Sequence, residues 1–291
     1  MRVLITGGAG MLGTALVRAA PEGVEVHATQ RATPVPAGAR AHPVELSDGA
    51  RVDALFAAVR PDGVIHTAYG KIDLARDIIG ATRNVADACG RTGAALVHLS
   101  TDVVFDGEHA PYAESDPLSP INEYGRRKAE AERLVRQLAP SAAIVRTSVI
   151  VRTDGEDALI AQLRAGTFPP AFVDELRSAI AAEDLAAQLW EIAALPRERM
   201  AGVWHLAGPE AVSRYTLATL LALRHGIRTR IVPALNRDFT PRRPRDLRLL
   251  TPRADRELRT RARPISEALL APAATMRSEV AAAAKQRGED F

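Results

Sequence analysis

Val3-Leu-Ile-Thr-Gly-Gly-Ala-Gly-Met-Leu-Gly-Thr-Ala-Leu16 decides the reading of this 291-residue chain. Val3 to Thr6 is a short apolar run of the kind shown by a strand buried on both faces. Gly7, Gly10 and Gly13 follow at three-residue spacing. From Met11 the pattern turns helical, with Leu12, Ala15, Leu16 and Ala19 along one side. Strand, glycine turn and helix together form the context in which a glycine motif binds a dinucleotide. Gly7 permits the tight turn, Gly10 leaves room beside the backbone for a pyrophosphate, and Gly13 lets the helix pack closely. The helix start at Met11 and Leu12 then turns its free N–H groups and positive dipole end to the phosphates.

Composition sets the class. The chain is 47% hydrophobic, enough for a sizeable core, and no apolar run has the length of a membrane span. No basic segment followed by an apolar stretch opens it, so a cytoplasmic protein without a secretory leader is expected. Cys89 is the single cysteine, which excludes an internal disulfide, and its place in a helical pattern beside Ala86 and Ala88 predicts a core thiol. A formal charge of +3 does not suggest a polyanion binder. Only Lys71, Lys128 and Lys285 are lysine among many arginines.

Strands and helices alternate through the first half. Val24–Ala28 reads as a second strand and a third ends near Glu45-Leu46. Ser47-Asp48 caps a helix carrying Val52, Leu55, Phe56 and Val59 inward. Gly63–Thr67 is a fourth strand, a helix runs from Leu74 to Arg91, and Ala95–Ser100 is a fifth strand. This alternation predicts an α/β fold, a Rossmann-type doubly wound parallel sheet. Ligands in such sheets bind at the carboxyl ends of the strands. Gly7, Arg31, Leu46, Ala68, Tyr69, Ser100 and Thr101 fall at such ends and are candidate cofactor contacts, with Gly10, Met11, Leu12 and Gly13. An NAD site wants an acidic residue after the second strand to hold the ribose 2′-hydroxyl. This chain offers Gln30-Arg31 instead, and an arginine suits a 2′-phosphate, so NADP(H) is favoured over NAD(H).

The chemistry is read from Thr101 onward. Tyr124-Gly-Arg-Arg-Lys128 opens a helix that stops before Pro140. Residues four apart share a helix face, so Tyr124 and Lys128 point the same way. A nearby ammonium is expected to lower the phenol's pKa and fit it to exchange a proton with a carbonyl oxygen. Thr101, at the end of the fifth strand, is placed to hydrogen-bond that oxygen. Tyr-x-x-x-Lys alone recurs on many structural helices. The glycine loop and strand-end threonine upstream make Thr101, Tyr124 and Lys128 the candidate catalytic set.

With Ser100-Thr-Asp-Val-Val-Phe-Asp-Gly107 and Pro120-Ile-Asn-Glu-Tyr124-Gly-Arg-Arg-Lys128, the chain resembles the extended short-chain dehydrogenase/reductases, in their dTDP-4-dehydrorhamnose reductase branch. Arg146-Thr-Ser, Phe172-Val-Asp-Glu, Trp204-His-Leu-Ala-Gly and Arg243-Pro-Arg-Asp-Leu-Arg-Leu carry the resemblance to about Leu270. It implies NADPH delivering hydride to C4 of a 4-keto nucleotide sugar, with Lys128 also holding the nicotinamide ribose. It places Thr101, Asp102, Val103 and Arg243 on the substrate side. Val103 stands where the branch often has an aromatic, Ala179 where a proline is usual, and Leu250 where an aspartate is common. Ala15 replaces a glutamate that some members use for metal at a dimer contact, and no His/Cys cluster has metal-ligand spacing.

Residues 1–150 with about 176–207 are expected to form the dinucleotide-binding domain. About 151–175 with 208–291 form a smaller, mainly C-terminal substrate-binding cap. Trp190 and Trp204 read as core and His205 as a satisfied strand-end histidine. Arg228 to Arg263 holds twelve arginines. Interspersed Asp238, Asp246, Asp255 and Glu257 argue against a nucleic-acid track, and Arg243 is expected to meet a nucleotide sugar's diphosphate. The alanine-rich tail from Ala271 to Lys285 reads as helical. A homodimer is compatible with this reading, and a membrane partner is not expected. The competing readings are a cofactor-binding regulatory subunit, a sugar-nucleotide epimerase or dehydratase, and a non-sugar ketone reductase.

Overall fold

Strands that are apolar on both faces need a covering layer on each side. The computed structural model describes residues 1–70, 72–155 and 157–271. In chain order it contains β1 (Arg2–Thr6), α1 (Met11–Arg18), β2 (Glu25–Gln30), β3 (Arg40–Pro43), α2 (Gly49–Val59) and β4 (Gly63–His66). A π-helical segment, Ala75–Gly80, runs into α3 (Ala81–Thr92). Then come β5 (Ala95–Leu99), a 3-10 turn at Asp102–Val104, α4 (Glu123–Leu138), β6 (Ala143–Thr147), β7 (Ile150–Val151), α5 (Ala158–Ala165) and β8 (Ala171–Phe172). β9 (Leu176–Arg177), β10 (Ile180–Ala181), α6 (Ala182–Ala193), α7 (Arg197–Met200) and β11 (Gly202–Leu206) follow. The last are β12 (Val212–Ser213), α8 (Arg214–Arg224), β13 (Pro233–Ala234), α9 (Pro252–Glu257) and α10 (Ile265–Leu270).

Seven strands form one parallel sheet in the order β11-β6-β5-β4-β1-β2-β3. The chain builds outward from β1 through β2 and β3, then returns to β4 on the other side of β1. The crevice beyond the carboxyl ends of β1 and β4 is therefore the switch point where such sheets bind ligands. Side-chain alternation sorts the core into two layers. Val3, Ile5, Ile65, Val97 and Val145 pack with Leu16, Val17, Leu185, Leu189 and Trp190 from α1 and α6. Leu4, Val64, Leu96 and Ile144 face the other way, onto Val52, Leu55, Val85, Ala86, Cys89 and Val135 from α2, α3 and α4. A third cluster joins Val151 and Leu163 to Val212, Leu217, Leu221, Ile265 and Leu269, which packs α5, α8 and α10 together.

Several local expectations are corrected. The third strand's ladder ends at Pro43, two residues before Glu45, and Leu46 turns into the core instead. The helix expected from Leu74 begins as a π-helical turn. The stretch from Val151 to Glu175, assigned above only to the cap, contains α5, whose cap Asp157 accepts from Leu159 N and Ile160 N at 2.8 and 3.0 Å. Trp190 and Trp204 are core residues as expected, their indole N–H groups donating to Leu16 O and Met200 O at 3.0 and 2.8 Å. Lys71 and the tail beyond Ala271 lie outside the described residues.

The glycine turn is held by contacts no side chain could share. Gly7 has φ +72°, and a Cβ at Gly13 would stand 2.2 Å from the Gly7 carbonyl oxygen and 2.7 Å from Gly8 Cα. Gly13→Ala therefore forces backbone apart and should cost about 2–3 kcal/mol. At Gly93 a φ of +74° is the obstacle and nothing lies within 4 Å, so Gly93→Ala should cost only about 1 kcal/mol. Urea denaturation of both variants checks the order.

Candidate active site

Helix α4 starts on a cap, with Asn122 Oδ1 accepting from Gly125 N at 2.8 Å. Its first turn lies against the 3-10 turn because Gly125 has no side chain. A Cβ there would stand 2.2 Å from the Val103 carbonyl oxygen. This close approach brings Tyr124 to the carboxyl end of β5, where Thr101 stands. Tyr124, Lys128 and Glu132 then follow at one-turn intervals on one face.

Glu132 is fully buried and takes four donors. Ser100 Oγ and Arg146 Nε donate to its Oε1 at 2.7 and 3.0 Å, and Arg146 Nη2 and Arg136 Nη2 donate to its Oε2 at 3.0 and 3.1 Å. Lys128 Nζ donates to the Leu99 carbonyl at 2.7 Å. Burial pushes its ammonium down to about 8, against the pull of Glu132. The phenol of Tyr124 is lifted above its ordinary range, first by burial and then by Tyr69 and Asp102, while hydrogen bonding from Thr101 opposes the shift. This corrects the expectation that Lys128 lowers it. The Lys128 ammonium is engaged by the strand carbonyl, and burial sets the direction of the shift on the phenol.

These side chains share one cavity of about 970 Å³ with the glycine turn. Gly7, Gly10, Met11, Leu12 and Gly13 line one part of its wall, Arg31 and Leu46 another. Ala68, Tyr69, Ser100, Thr101, Tyr124 and Lys128 line a third part. Gly10 caps α1 without a side-chain acceptor, so the first N–H groups of the helix keep no side-chain partner. That cradle fits a pyrophosphate. The tyrosine rings of Tyr69 and Tyr124 have centroids 6.2 Å apart at 55°. Gln30 Oε1 accepts from Val35 N at 3.0 Å, which turns that side chain to its own loop.

Asp102, Val103 and Arg243 stand outside the cavity wall. Asp102 is buried. Its Oδ1 accepts from Thr101 Oγ1 at 3.2 Å, its Oδ2 accepts from Ser148 Oγ at 2.6 Å, and Arg177 Nε lies 4.0 Å away. Burial raises its pKa, and Arg177 and the two hydroxyls oppose that. Both oxygens face inward, so Asp102 supports Thr101 rather than reaching a substrate. Val103 N donates to Thr101 Oγ1 at 3.2 Å. Arg243 is half-exposed, paired with the buried Glu175, with its guanidinium carbon 5.3 Å from the centre of the Phe172 ring.

The wall also includes Thr147, which ends β6, and Ser148, Val149 and Ile150 after it, none of them anticipated from the sequence. The strand-end rule that picked Ser100 and Thr101 applies to them equally. Asp77 lines the cavity too, and no sequence signal marked it. Burial holds the Cys89 thiol well above its usual range, so it is a core group rather than a nucleophile. His205 is pushed down to about 4 by burial, and its Nδ1 meets the Leu250 carbonyl at 3.0 Å. In the arginine-rich stretch, Arg248 pairs with Asp246 and Arg263 with Asp184, each at 2.7 Å, and Arg253 lies 3.8 Å from the centre of the Trp204 ring. Among the described residues no helix is long and apolar enough to cross a membrane, and no group of three or more His, Cys, Asp or Glu is placed to hold a metal ion.

Comparison with known proteins agrees with this architecture. The RmlD substrate binding domain family matches residues 1–278. A dTDP-4-keto-6-deoxy-D-glucose reductase of Streptomyces niveus is 32% identical over 244 residues, which is 75% of this chain and 77% of its own length. The spore coat polysaccharide biosynthesis protein SpsK of Bacillus subtilis is 30% identical over 284 residues, covering 92% of this chain and 95% of its own. A solved dTDP-4-dehydrorhamnose reductase of Clostridium acetobutylicum superposes with a TM-score of 0.75 at 25% identity, over 92% of this chain and 97% of its own.

The two arginines on Glu175 should differ sharply in their worth. Arg177 has 6% of its side chain exposed and Arg243 has 50%. Arg177→Met removes the buried cation between Glu175 and Asp102 and should cost about 3–5 kcal/mol. Arg243→Met should cost about 1 kcal/mol or less. Equal losses on chemical denaturation would contradict this picture of the cluster.

Proposed function

The chain belongs to the RmlD substrate binding domain family, and from that premise we propose that it is an NADPH-dependent reductase of a 4-keto deoxysugar nucleotide. One observation carries the reading: Thr101, Tyr124 and Lys128 line the same cavity as the glycine turn. The relatives named as reductases of dTDP-linked keto sugars support the substrate class. Residues 1–150 with about 176–207 hold the dinucleotide, and about 151–175 with the chain from 208 onward receives the sugar nucleotide. Arg243, half-exposed beside Phe172, is the residue we assign to the diphosphate of that substrate.

Each side chain has a stated task. The glycine turn and the start of α1 receive the pyrophosphate. Arg31, at the end of β2, favours a 2′-phosphate and so NADP(H) over NAD(H). Lys128 holds the ribose hydroxyls with the N–H groups it does not give to Leu99. When bound, the dinucleotide supplies the hydride that goes to the carbonyl carbon. Thr101 hydrogen-bonds the carbonyl oxygen and Tyr124 gives it a proton, which completes the alcohol. An alkoxide is a stronger base than a phenolate, so a phenol with a raised pKa still transfers its proton downhill. The same shift keeps the Tyr124 phenol protonated near neutral pH, which is the form the reduction uses.

Tyr124→Phe should bind NADPH with unchanged affinity and lose turnover of a 4-keto sugar nucleotide by about a hundredfold or more. Stopped assays that follow NADPH absorbance measure this, and full activity in the variant would falsify the role given to Tyr124. The pH profile supplies a second check. The protonated form of Lys128 is lost as pH rises through about 8, whereas the raised phenol stays protonated there. Reductive kcat/KM should therefore fall above pH about 8. A flat profile to much higher pH would detach Lys128 from the reaction.

A further inference from the structure

A carboxylate stands at the adenosine end of the cavity, where the order of residues along the chain shows only a cation. β2 runs into Gln30-Arg31 and lacks the acidic residue that holds a ribose 2′-hydroxyl. Asp77 enters the same cavity from the π-helical segment Ala75–Gly80. Such π turns are rare and frequent at functional sites. Only 5% of the Asp77 side chain is exposed, and its Oδ1 lies 3.9 Å from Arg31 Nη1 and 2.8 Å from Arg76 Nε. Its Oδ2 fills the space of a missing side chain, since a Cβ at Gly70 would stand 1.8 Å from it. Glu45 lines the wall as well. Arg31 is therefore not a free cation but one that faces a buried carboxylate.

We propose that Asp77 is a specificity-determining residue for the coenzyme. It brings in from the π turn the carboxylate that is absent after β2. There it accepts the 2′-hydroxyl of NADH and repels the 2′-phosphate of NADPH, and so holds the preference set by Arg31 to a small margin. The physical basis is charge: a 2′-phosphate carries nearly two negative charges at neutral pH, and repulsion from a shielded carboxylate is little screened. This inference rests on the coenzyme reading given above.

The test titrates the full chain with NADPH and with NADH, following nicotinamide fluorescence to obtain both Kd values. Asp77→Asn removes the charge and keeps the shape, and Asp77→Ser is a smaller variant against Gly70. In both, NADPH should bind tighter by on the order of tenfold, while NADH does not tighten. Arg31→Ala should move the ratio the opposite way. An unchanged ratio in the Asp77 variants overturns the assignment. So does a selective loss of NADPH, which would make Asp77 a prop for Arg31. If the unaltered protein binds neither coenzyme, the dinucleotide reading itself fails. If it binds both and only the Asp77 variants are silent, the failure belongs to this inference alone.

Discussion

A fully buried carboxylate, Glu132, ties helix α4 to the sheet. Left without partners, such a charge would cost several kcal/mol. Here it accepts from Ser100 at the end of β5, from Arg146 on β6 and from Arg136 one turn along α4. Those bonds fix the rotation of α4 about its own axis. Lys128, one turn before Glu132, is then aimed at the Leu99 carbonyl, and Tyr124, one turn earlier still, at the strand end. A helix held only by apolar packing could slide by a fraction of a turn. One held by three hydrogen bonds from Ser100 and Arg146 to a buried charge cannot do so without breaking them.

The position of the cavity follows from topology. Return of the chain across β1 leaves a crevice between the loops that follow β1 and β4. Two backbone contacts narrow that crevice to a working site. The glycine turn lies against the start of α1, and the first turn of α4 lies against the 3-10 turn after β5, each too close for a side chain. The first contact leaves helix N–H groups free for phosphate. The second sets Thr101 beside Tyr124. Asp102, beneath Thr101, connects that pair to Ser148 and Arg177. The Thr101 edge of the cavity and the arginine cluster around Glu175 are therefore joined in one polar network.

Electrostatics inside the cavity differ from what spacing along the chain suggests. A lysine one helical turn from a tyrosine reads as a cation that acidifies a phenol. In the folded protein, desolvation is the larger effect on both groups: it lowers the lysine and raises the tyrosine. The direction of the Tyr124 shift suits proton donation to an oxygen that becomes strongly basic as it is reduced. At the other end of the cavity, Arg31 alone suggests a phosphate site, and Asp77 changes the local charge balance.

The order of residues by itself determined the parallel sheet, the glycine turn, the helix that carries Tyr124 and Lys128, and the eleven cavity-lining positions named from strand ends and the helix start. These follow from local rules: alternation along strands, the spacing of helix faces, and ligand binding at strand ends. Only the tertiary structure decided that Asp102 is turned inward, that Arg243 is bound to Glu175, and that Asp77 and the segment after β6 enter the cavity. Each of these depends on residues far apart in the chain meeting across the fold. Desolvation and charge pairing are set by those neighbours in space, and no periodicity along the chain encodes them.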